Sequence, residues 1–175
     1  MKKFFLIITA LCMVSVLEAQ TSAVDEMFNK YSEREGFTLI SISSKMFSLL
    51  AGKGTNTSED RSFINRLKSI RILSVEDSLL NENINFYDEL SRKLNFGIYE
   101  ELMVVREGKD MTKFLIRQNG DIISELLMIT GGPGDNTLIS IKGDLDLKTI
   151  SDISKKSGIE ELKTLDNIEK KNPRE

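Results

Sequence analysis

The sequence predicts an α+β domain: a largely antiparallel sheet with a four-strand C-terminal meander, and helices packed on one face. Two features lead to this class. Short apolar runs follow one another with Gly-containing turns between them, which is the pattern of consecutive hairpins. Apolar residues at helical spacing lie before and after those runs. The runs are YEELMVVRE, MTKFLIRQ, IISELLMIT and NTLISIK, between residues 99 and 142.

The segments between these strands carry residues that suit tight reversals. Glu107-Gly108-Lys109-Asp110 and Gln118-Asn119-Gly120-Asp121 separate the first strands, and Gly131-Gly132-Pro133-Gly134-Asp135-Asn136 precedes the last. Asn119-Gly120 supplies the positive φ values that a primed turn needs.

Upstream of the meander, the first helix and strand are predicted from residue 24 onward. Ser22 and Asp25 resemble an N-terminal capping box for the helix. The run Phe37–Ser43 (FTLISIS) has apolar residues on both faces, so we expect a central strand rather than an edge strand. The apolar stripe of the helix consists of Val24, Met27, Phe28 and Tyr31.

The remaining elements follow from the same periodicities. They are a short amphipathic segment at Lys45–Ala51, a helix with Phe63, Ile64 and Leu67 inward, a strand at Ser69–Glu76, a helix from about Glu82 to Phe96, and a last helix beyond Asp144 or Asp146. In the strand MTKFLIRQ, Thr112, Phe114 and Ile116 share one face, and Lys113 and Arg117 the other. The sheet face away from the helices is therefore expected to be solvated or to bind a partner.

Residues 1–19 have the pattern of a signal peptide. Met1-Lys2-Lys3 is a charged start, an apolar run too short to span a bilayer follows, and Ala19 precedes Gln20. A retained N-terminal anchor and a lipoprotein signal cleaved before Cys12 are the alternatives. We expect a single domain at residues 20–163 and a polar, flexible tail at 164–175. The protein is then exported, to the periplasm or outer membrane of a Gram-negative bacterium, with no transmembrane segment in the mature chain.

Composition excludes several classes of chemistry. The chain has no histidine, and its one cysteine is Cys12, in the predicted leader. Zinc or copper sites built from imidazole or thiolate are excluded, as are Ser-His-Asp and Cys-His nucleophiles. The net charge of −3 predicts no nucleic-acid partner.

Asp144 and Asp146 are the best-placed acids, two residues apart at a strand-to-helix junction. Helix capping is the first interpretation, and a calcium site or paired catalytic carboxylates are the alternatives. Ser43, Ser44 and Lys45 allow a Ser/Lys dyad, but serines beside an exposed lysine are commonly structural. We assign no catalytic, cofactor-binding or metal-binding residue.

Four other features give weaker functional signals. The loops Gly52-x-Gly54 and Gly131-Gly132-x-Gly134 lack the spacing of a phosphate cradle. Arg71 and Lys113 could bind an anion on the open sheet face, or simply be solvated. Asn56-Thr57-Ser58 matches an N-glycosylation triplet and Asp77-Ser78-Leu79 a short O-glycosylation acceptor.

The order of these segments resembles an exported bacterial family classed as domain of unknown function 4252. The resemblance is carried by FTLISISSKMFSLLAG, SIRILSVED, YEELMVVREGKDMTKFLIR, SELLMIT and LISIKGDLDLKTISDISK. It implies export, a compact α+β domain, no assigned activity and no catalytic residues. It also suggests an association with envelope sensing.

The expected function is that of a non-enzymatic envelope protein that binds a protein partner or a ligand, through the open sheet face or the Gly131–Asn136 loop. The alternative is a histidine-free, carboxylate-dependent hydrolase or carbohydrate-active enzyme, with two facing acids in a cleft. A carrier of hydrophobic ligands, with an enclosed apolar cavity, is a third option. No cofactor is expected.

Overall fold

The computed structural model describes residues 22–53, 62 and 64–146. Its helices include α1 (Ala23–Tyr31), α2 (Ser44–Lys53), α3 (Ser78–Asn83) and α4 (Phe86–Ser91), with a 3₁₀ turn at Phe96–Ile98. Its strands are β1 (Phe37–Ser43), β2 (Leu67–Val75), β3 (Glu100–Glu107), β4 (Asp110–Asn119), β5 (Ile122–Gly131) and β6 (Thr137–Leu145).

The strands form one antiparallel sheet in the order β1-β2-β6-β5-β4-β3. The predicted α+β class and the C-terminal meander are confirmed. Glu107 pairs with Asp110, and Asn119 with Ile122, so both meander hairpins have two-residue turns. Gly108 and Gly120 have φ values of 62° and 60°, and no other residue type has a positive φ in the described part. A glycine alone at the first central position is typical of a type II′ turn, so Asn119 does not supply the positive φ expected of it.

Among the described helices, α1, α3 and α4 cover one face of the sheet. The side chains predicted for the stripe of α1 are all at most 3% exposed. They pack with α4 and with the inward residues of the strands, and α3 adds the half-buried Leu80. The core on this face contains Val24, Met27, Phe28, Tyr31, Leu73, Val75, Phe86, Leu90, Leu94, Leu115, Leu127, Ile129 and Leu138.

The opposite face has a core of its own, so the expectation of a solvated face is wrong. Phe114 and Ile116 of β4 share this face as predicted, but they are at most 3% exposed. Phe47 of α2 packs into the same core, so helices flank both faces of the sheet. β4, β5 and β6 bury side chains on both sides, because each contributes alternate residues to the two cores, whereas β3 has no buried residue. This second core contains Phe47, Leu67, Ile70, Phe114, Ile116, Ile123, Leu126, Met128, Ile139, Ile141 and Leu145.

Helix ends follow local capping, and this divides one predicted helix. The Ser22 hydroxyl accepts a hydrogen bond from the Asp25 N–H at 3.1 Å, which confirms the cap of α1. Asp77 caps α3, and the chain is extended at Ile84 and Asn85. The Asn85 side chain then accepts from the Asp88 N–H and starts α4. The continuous helix expected from Glu82 to Phe96 is therefore wrong, because an asparagine favours a new N-terminus over a helix interior.

Two other predicted placements differ. β1 is an edge strand, paired only with β2 within the described sheet, whereas its apolar pattern predicted a central strand. Leu67, expected on the inner side of a helix, is the buried first residue of β2. The predicted leader (1–19), tail (164–175) and last helix beyond Asp146 lie outside the described residues, as do Phe63, Gly54 and the Asn56 triplet.

Candidate functional site

A cleft of about 190 Å³ lies at the end of the meander, on the face of the second core. It is formed where the C-terminal end of β3 and the start of β4 meet the end of β5 and the following loop. Phe114 and Met128, both at most 1% exposed, lie at its apolar side. The other lining residues are Val105, Glu107, Asp110, Thr112, Thr130 and Asp135.

Hydrogen bonds fix the polar groups of the cleft. The hydroxyls of Thr112 and Thr130, on neighbouring strands, are 3.0 Å apart. Asp110 accepts a hydrogen bond from the Gly134 N–H at 2.9 Å, and Asp135 accepts one from the Thr137 hydroxyl at 2.9 Å. The backbone hydrogen bond holds Asp110 against the loop that follows β5.

The glycines of that loop are required by its close packing. A Cβ at Gly132 would lie 2.7 Å from the Asp110 Cα, and one at Gly131 would lie 2.6 Å from the Tyr87 backbone nitrogen. No side chain fits at such distances without displacing backbone. The loop, which the sequence analysis names as a possible binding site, is therefore packed against β4 and α4. Its Asp135 lines the edge of the cleft.

Asn136 anchors the other end of the loop and is fully buried. Its side-chain oxygen accepts from the Phe86 N–H at 2.7 Å, one of the donors that a helix start leaves without an intrahelical partner. Its amide nitrogen donates toward the carbonyls of Gly132 (2.8 Å) and Ile84 (3.0 Å) and toward the Asn81 side-chain oxygen (3.0 Å). One side chain thus ties the loop to both α3 and α4.

The charge of the cleft is one-sided. Glu107, Asp110 and Asp135 contribute carboxylates, and none of the described lining residues is basic. Concave surfaces lined by one sign of charge concentrate ions of the opposite sign. Pockets for drug-sized ligands usually measure about 300–1,000 Å³, so this cleft suits a smaller group with a positive charge and an apolar stem.

A second polar cluster lies on the other face, between α1 and the sheet. Its centre is Glu125, which is 2% exposed. Glu125 accepts hydrogen bonds from the Tyr99 hydroxyl at 2.9 Å and the Ser140 hydroxyl at 2.8 Å. Arg117 and Lys142 lie 3.4 and 3.9 Å from its oxygens. Burial, and then the adjacent carboxylate, raise the pKa of Tyr99 well above its ordinary value, so its hydroxyl stays protonated and donates.

This cluster continues to the N-terminus of α1 through Lys142, which lies 3.4 Å from Asp25. Asp25 also pairs with Arg71, whose guanidinium lies 4.2 Å from the Phe28 ring centre. Partial burial would raise the pKa of Asp25, but hydrogen bonds from Ser22 and Arg71 and the nearby positive charges hold it below its ordinary value. Each acid in the cluster has basic or hydroxyl partners from the chain itself, which is typical of a structural network rather than an open site.

A groove of about 240 Å³ between α1 and α4 is also internally paired. Lys30 lies 2.6 Å from Glu89, and Lys93 lies 3.0 Å from Glu26. Partial burial opposes the charged forms of Lys30 and Glu89, but their mutual hydrogen bond outweighs it, so the pKa of Glu89 is lowered and that of Lys30 raised. This groove is therefore part of helix packing.

The structure separates the acids that the sequence singled out. Asp144 pairs with Lys68 at 2.6 Å, and Asp146 with Arg66 at 2.7 Å, in two exposed ion pairs between β6 and the β2 side of the sheet. The two carboxylates do not face each other across a cleft, and the described residues contain no group of three or more acids arranged to hold a metal ion.

The other candidate residues also lie apart from the cleft. Arg71 faces α1, and Lys113 pairs with Glu101 at 2.7 Å beneath the Tyr87 ring, so neither lies on an open face. Ser43 ends β1, and Ser44 and Lys45 begin α2 on the surface. Ser78 and Leu79 of the O-glycosylation triplet are exposed, while Asp77 caps α3.

Sequence reasoning named the Gly131–Asn136 loop, which contributes Asp135, but did not identify the cleft, because its residues come from three strands and a loop. The available signal was the β3–β4 hairpin, where a two-residue turn places Glu107 directly opposite Asp110. Neither the contribution of Thr130 nor that of Asp135 follows without the register of β5.

Comparison with known proteins finds one family whose model matches most of the chain. A family model described as "Domain of unknown function (DUF4252)" matches residues 31–153. No curated protein and no solved structure matches the chain significantly. No described helix is both long and apolar enough to cross a bilayer.

Proposed function

Since the chain belongs to this family, whose description assigns no activity, we propose from the geometry of the acidic cleft that it is an exported, non-enzymatic envelope protein that binds a protein partner. The partner inserts one basic side chain, arginine or lysine, into the cleft. A link to envelope sensing would then depend on the identity of that partner. The observation that carries the proposal is a cleft with an apolar side, carboxylates at its rim and no base among its described lining residues.

The cleft matches both parts of a basic side chain, its aliphatic stem and its charged head. The aliphatic stem would lie against Phe114 and Met128, and the charged head would reach Glu107 and Asp110 at the rim. Arginine suits such a site best, because its planar guanidinium pairs with a carboxylate through two hydrogen bonds. Exposed ion pairs contribute little by themselves, about 1 kcal/mol or less, so further contacts around the cleft would determine the affinity.

A peptide titration tests the recognition chemistry. The probes are the hexapeptide Gly-Gly-Arg-Leu-Gly-Gly and the same peptide with citrulline, which keeps the shape of arginine without its charge. The arginine peptide is expected to shift the amide NMR signals of Thr112 and Thr130, and to bind more weakly as salt increases. The citrulline peptide is expected to leave those signals unchanged. Equal shifts with both peptides, or shifts elsewhere only, would contradict the proposal.

Glu107→Gln provides the matched test on the protein. The glutamine keeps the size of the exposed side chain and removes its charge, so affinity for the arginine peptide should fall about threefold to tenfold, which corresponds to about 0.7–1.4 kcal/mol. Glu35→Gln, an exposed glutamate outside the cleft, serves as the control and should bind like the parent.

Export and partnership are tested in cells. Photo-crosslinkers placed at positions 107 and 35 should yield an envelope partner from position 107 only. N-terminal sequencing of the same material should start at Gln20. Recovery of no adduct from position 107, or of protein that keeps residues 1–19 in the cytoplasm, would count against the respective part of the proposal.

A further inference from the structure

β1 is an edge strand with the sequence of an interior one. Its residues, FTLISIS, include no charged side chain, and Leu39 and Ile40 are 36% and 46% exposed. The other edge of the sheet, β3, carries Glu100, Glu101, Arg106 and Glu107. Charges on an edge strand oppose pairing with another chain. Only the β3 edge has this protection, so β1 is the edge that is open to a further strand.

The backbone of β1 has unpaired groups at its centre in the described sheet. The Glu76 N–H donates to the Gly36 carbonyl at 3.0 Å, and this bond sets the alternation along the β1–β2 ladder. Thr38, Ile40 and Ile42 therefore direct their N–H and C=O groups to β2. The corresponding groups of Leu39 and Ser41 point away from β2, toward the outer edge.

The helix that follows extends the same surface. α2 starts at Ser44 directly after β1 and lies over the second core, into which Phe47 packs. Met46 and Leu49 of α2 are 48% and 53% exposed. Lys45 is the only ionisable residue between positions 37 and 49. Ile40 lies on the same sheet face as α2, since Ile42 and Phe47 both contact the second core. We name the outer edge of β1 together with the exposed side chains of α2 the β1–α2 surface.

We propose that the β1–α2 surface is the interface of a homodimer, in which β1 pairs antiparallel with β1 of a second copy. Centred on Ile40, this pairing sets Leu39 against the partner subunit's Ser41, and Ser41 against the partner subunit's Leu39. These are the residues whose backbone groups point outward, so each pair exchanges two hydrogen bonds. Ile40 then lies against the partner subunit's Ile40 in the close, non-hydrogen-bonded position.

The two-fold symmetry of the pairing also fixes where the two α2 helices lie. A two-fold axis normal to the sheet keeps the same sheet face on the same side in both copies. Both α2 helices therefore lie on the same side of the new strand pair, one beside each end of it. The absence of charge in β1 means that no like charges meet across the strand pair, so a second copy fits this surface without a repulsive contact.

The dimer joins two six-stranded sheets through their β1 edges. β3, which contributes to the acidic cleft, is the opposite edge strand. Loss of the dimer would therefore leave peptide binding in the cleft unchanged, and the two proposals fail independently.

Analytical ultracentrifugation of protein purified from cells that express the full-length chain tests the interface. The parent should sediment as a dimer at about 100 μM and dissociate on dilution. Ile40→Lys should raise the dimer dissociation constant about tenfold or more, because it places two like charges opposite each other. Ile122→Lys is the matched control: Ile122 is 54% exposed at the start of β5, away from β1, and the variant should dimerise like the parent.

Ser41→Pro separates dimer loss from misfolding. The Ser41 N–H is not bonded to β2, and proline is tolerated on an edge strand where the N–H faces outward. This variant should keep the circular dichroism spectrum of the parent and sediment as a monomer. A parent that is monomeric at about 100 μM, or dimers that survive both Ile40→Lys and Ser41→Pro, would overturn the proposal.

Amide hydrogen exchange identifies the occupant directly. The amides of Leu39 and Ser41 should be protected in the dimer and lose protection on dilution. Protection that does not change with protein concentration would show that another segment of the same chain covers β1. Absence of protection at every concentration would show an open edge, and either result would overturn the dimer.

Discussion

Replacement of Asn136 by alanine should cost more stability than its size suggests. The side chain is fully buried and serves the Phe86 N–H at the start of α4 and the Gly132 carbonyl in the loop after β5. Truncation leaves both groups without this partner in a buried position. Each such group costs about 1–3 kcal/mol, and a water that enters the vacated space recovers part of the sum. We expect a loss of about 3 kcal/mol in the free energy of unfolding.

The assay is urea denaturation followed by circular dichroism. With a slope of about 2 kcal/mol/M, a loss of about 3 kcal/mol lowers the midpoint by about 1.5 M and leaves the slope unchanged. The melting temperature should fall by about 10 °C for a chain of this size. Asn83→Ala is the matched control, because Asn83 is exposed and its side-chain amide donates only to the Leu79 carbonyl among the bonds the structure shows. Its cost should stay within about 0.5 kcal/mol.

The comparison of these two variants tests whether the hydrogen bonds of Asn136 stabilise the fold. If Asn136→Ala costs no more than Asn83→Ala, the hydrogen bonds of Asn136 do not hold the loop and the helices together. Asn136→Asp adds a second check, because the aspartate keeps the shape but turns a carboxylate oxygen toward the Gly132 carbonyl. Its stability should increase as the pH falls and the new carboxylate is protonated.

Two predictions concern the polar cluster beneath α1. Glu125→Gln removes the buried charge that accepts hydrogen bonds from Tyr99 and Ser140, and should lower the free energy of unfolding, measured by urea denaturation, by about 2 kcal/mol. The control Glu76→Gln changes an exposed glutamate and should cost less than about 0.5 kcal/mol. Equal costs for the two variants would contradict a role for the buried charge. The lowered pKa of Asp25 gives stability that is fully present above the ordinary aspartate pKa of about 4 and is lost as the pH falls through the folded-state value. The stability difference between the parent and Asp25→Asn should therefore be large at neutral pH and shrink below about pH 4, and a difference that is independent of pH would refute this.

Much of the fold follows from short-range patterns in the sequence. The four strands of the meander and the stripe of α1 were predicted because alternation and helical spacing act over a few residues. The capping box at Ser22 and Asp25 is equally local. The division of the predicted helix at Ile84 and Asn85 is local too, and the N-cap preference of Asn85 was the signal for it.

The cleft and the polar cluster depend on register, which no local pattern specifies. The β5–β6 pairing shifts between Ile123 and Glu125, so Ile123 packs into the second core while Glu125 faces α1. Strict alternation would have placed both residues on the same face. The bulge at Ser124 thus directs a carboxylate into the interior, where Tyr99 and Ser140 satisfy it. In the same way, the acidic cleft forms only when the hairpin of β3 and β4 is aligned with the end of β5.

The error on β1 differs in kind, because its local pattern is that of a strand flanked on both sides, while the described sheet flanks it on one. The inference from apolar residues on both faces to a central position assumes that all neighbouring strands belong to the same chain. The described sheet provides a neighbour on one side of β1 only. If the second neighbour is β1 of another copy, the strand is central after all, in a sheet of two chains. The edge position of β1 and its interior-type sequence are then both explained by the same two-fold pairing.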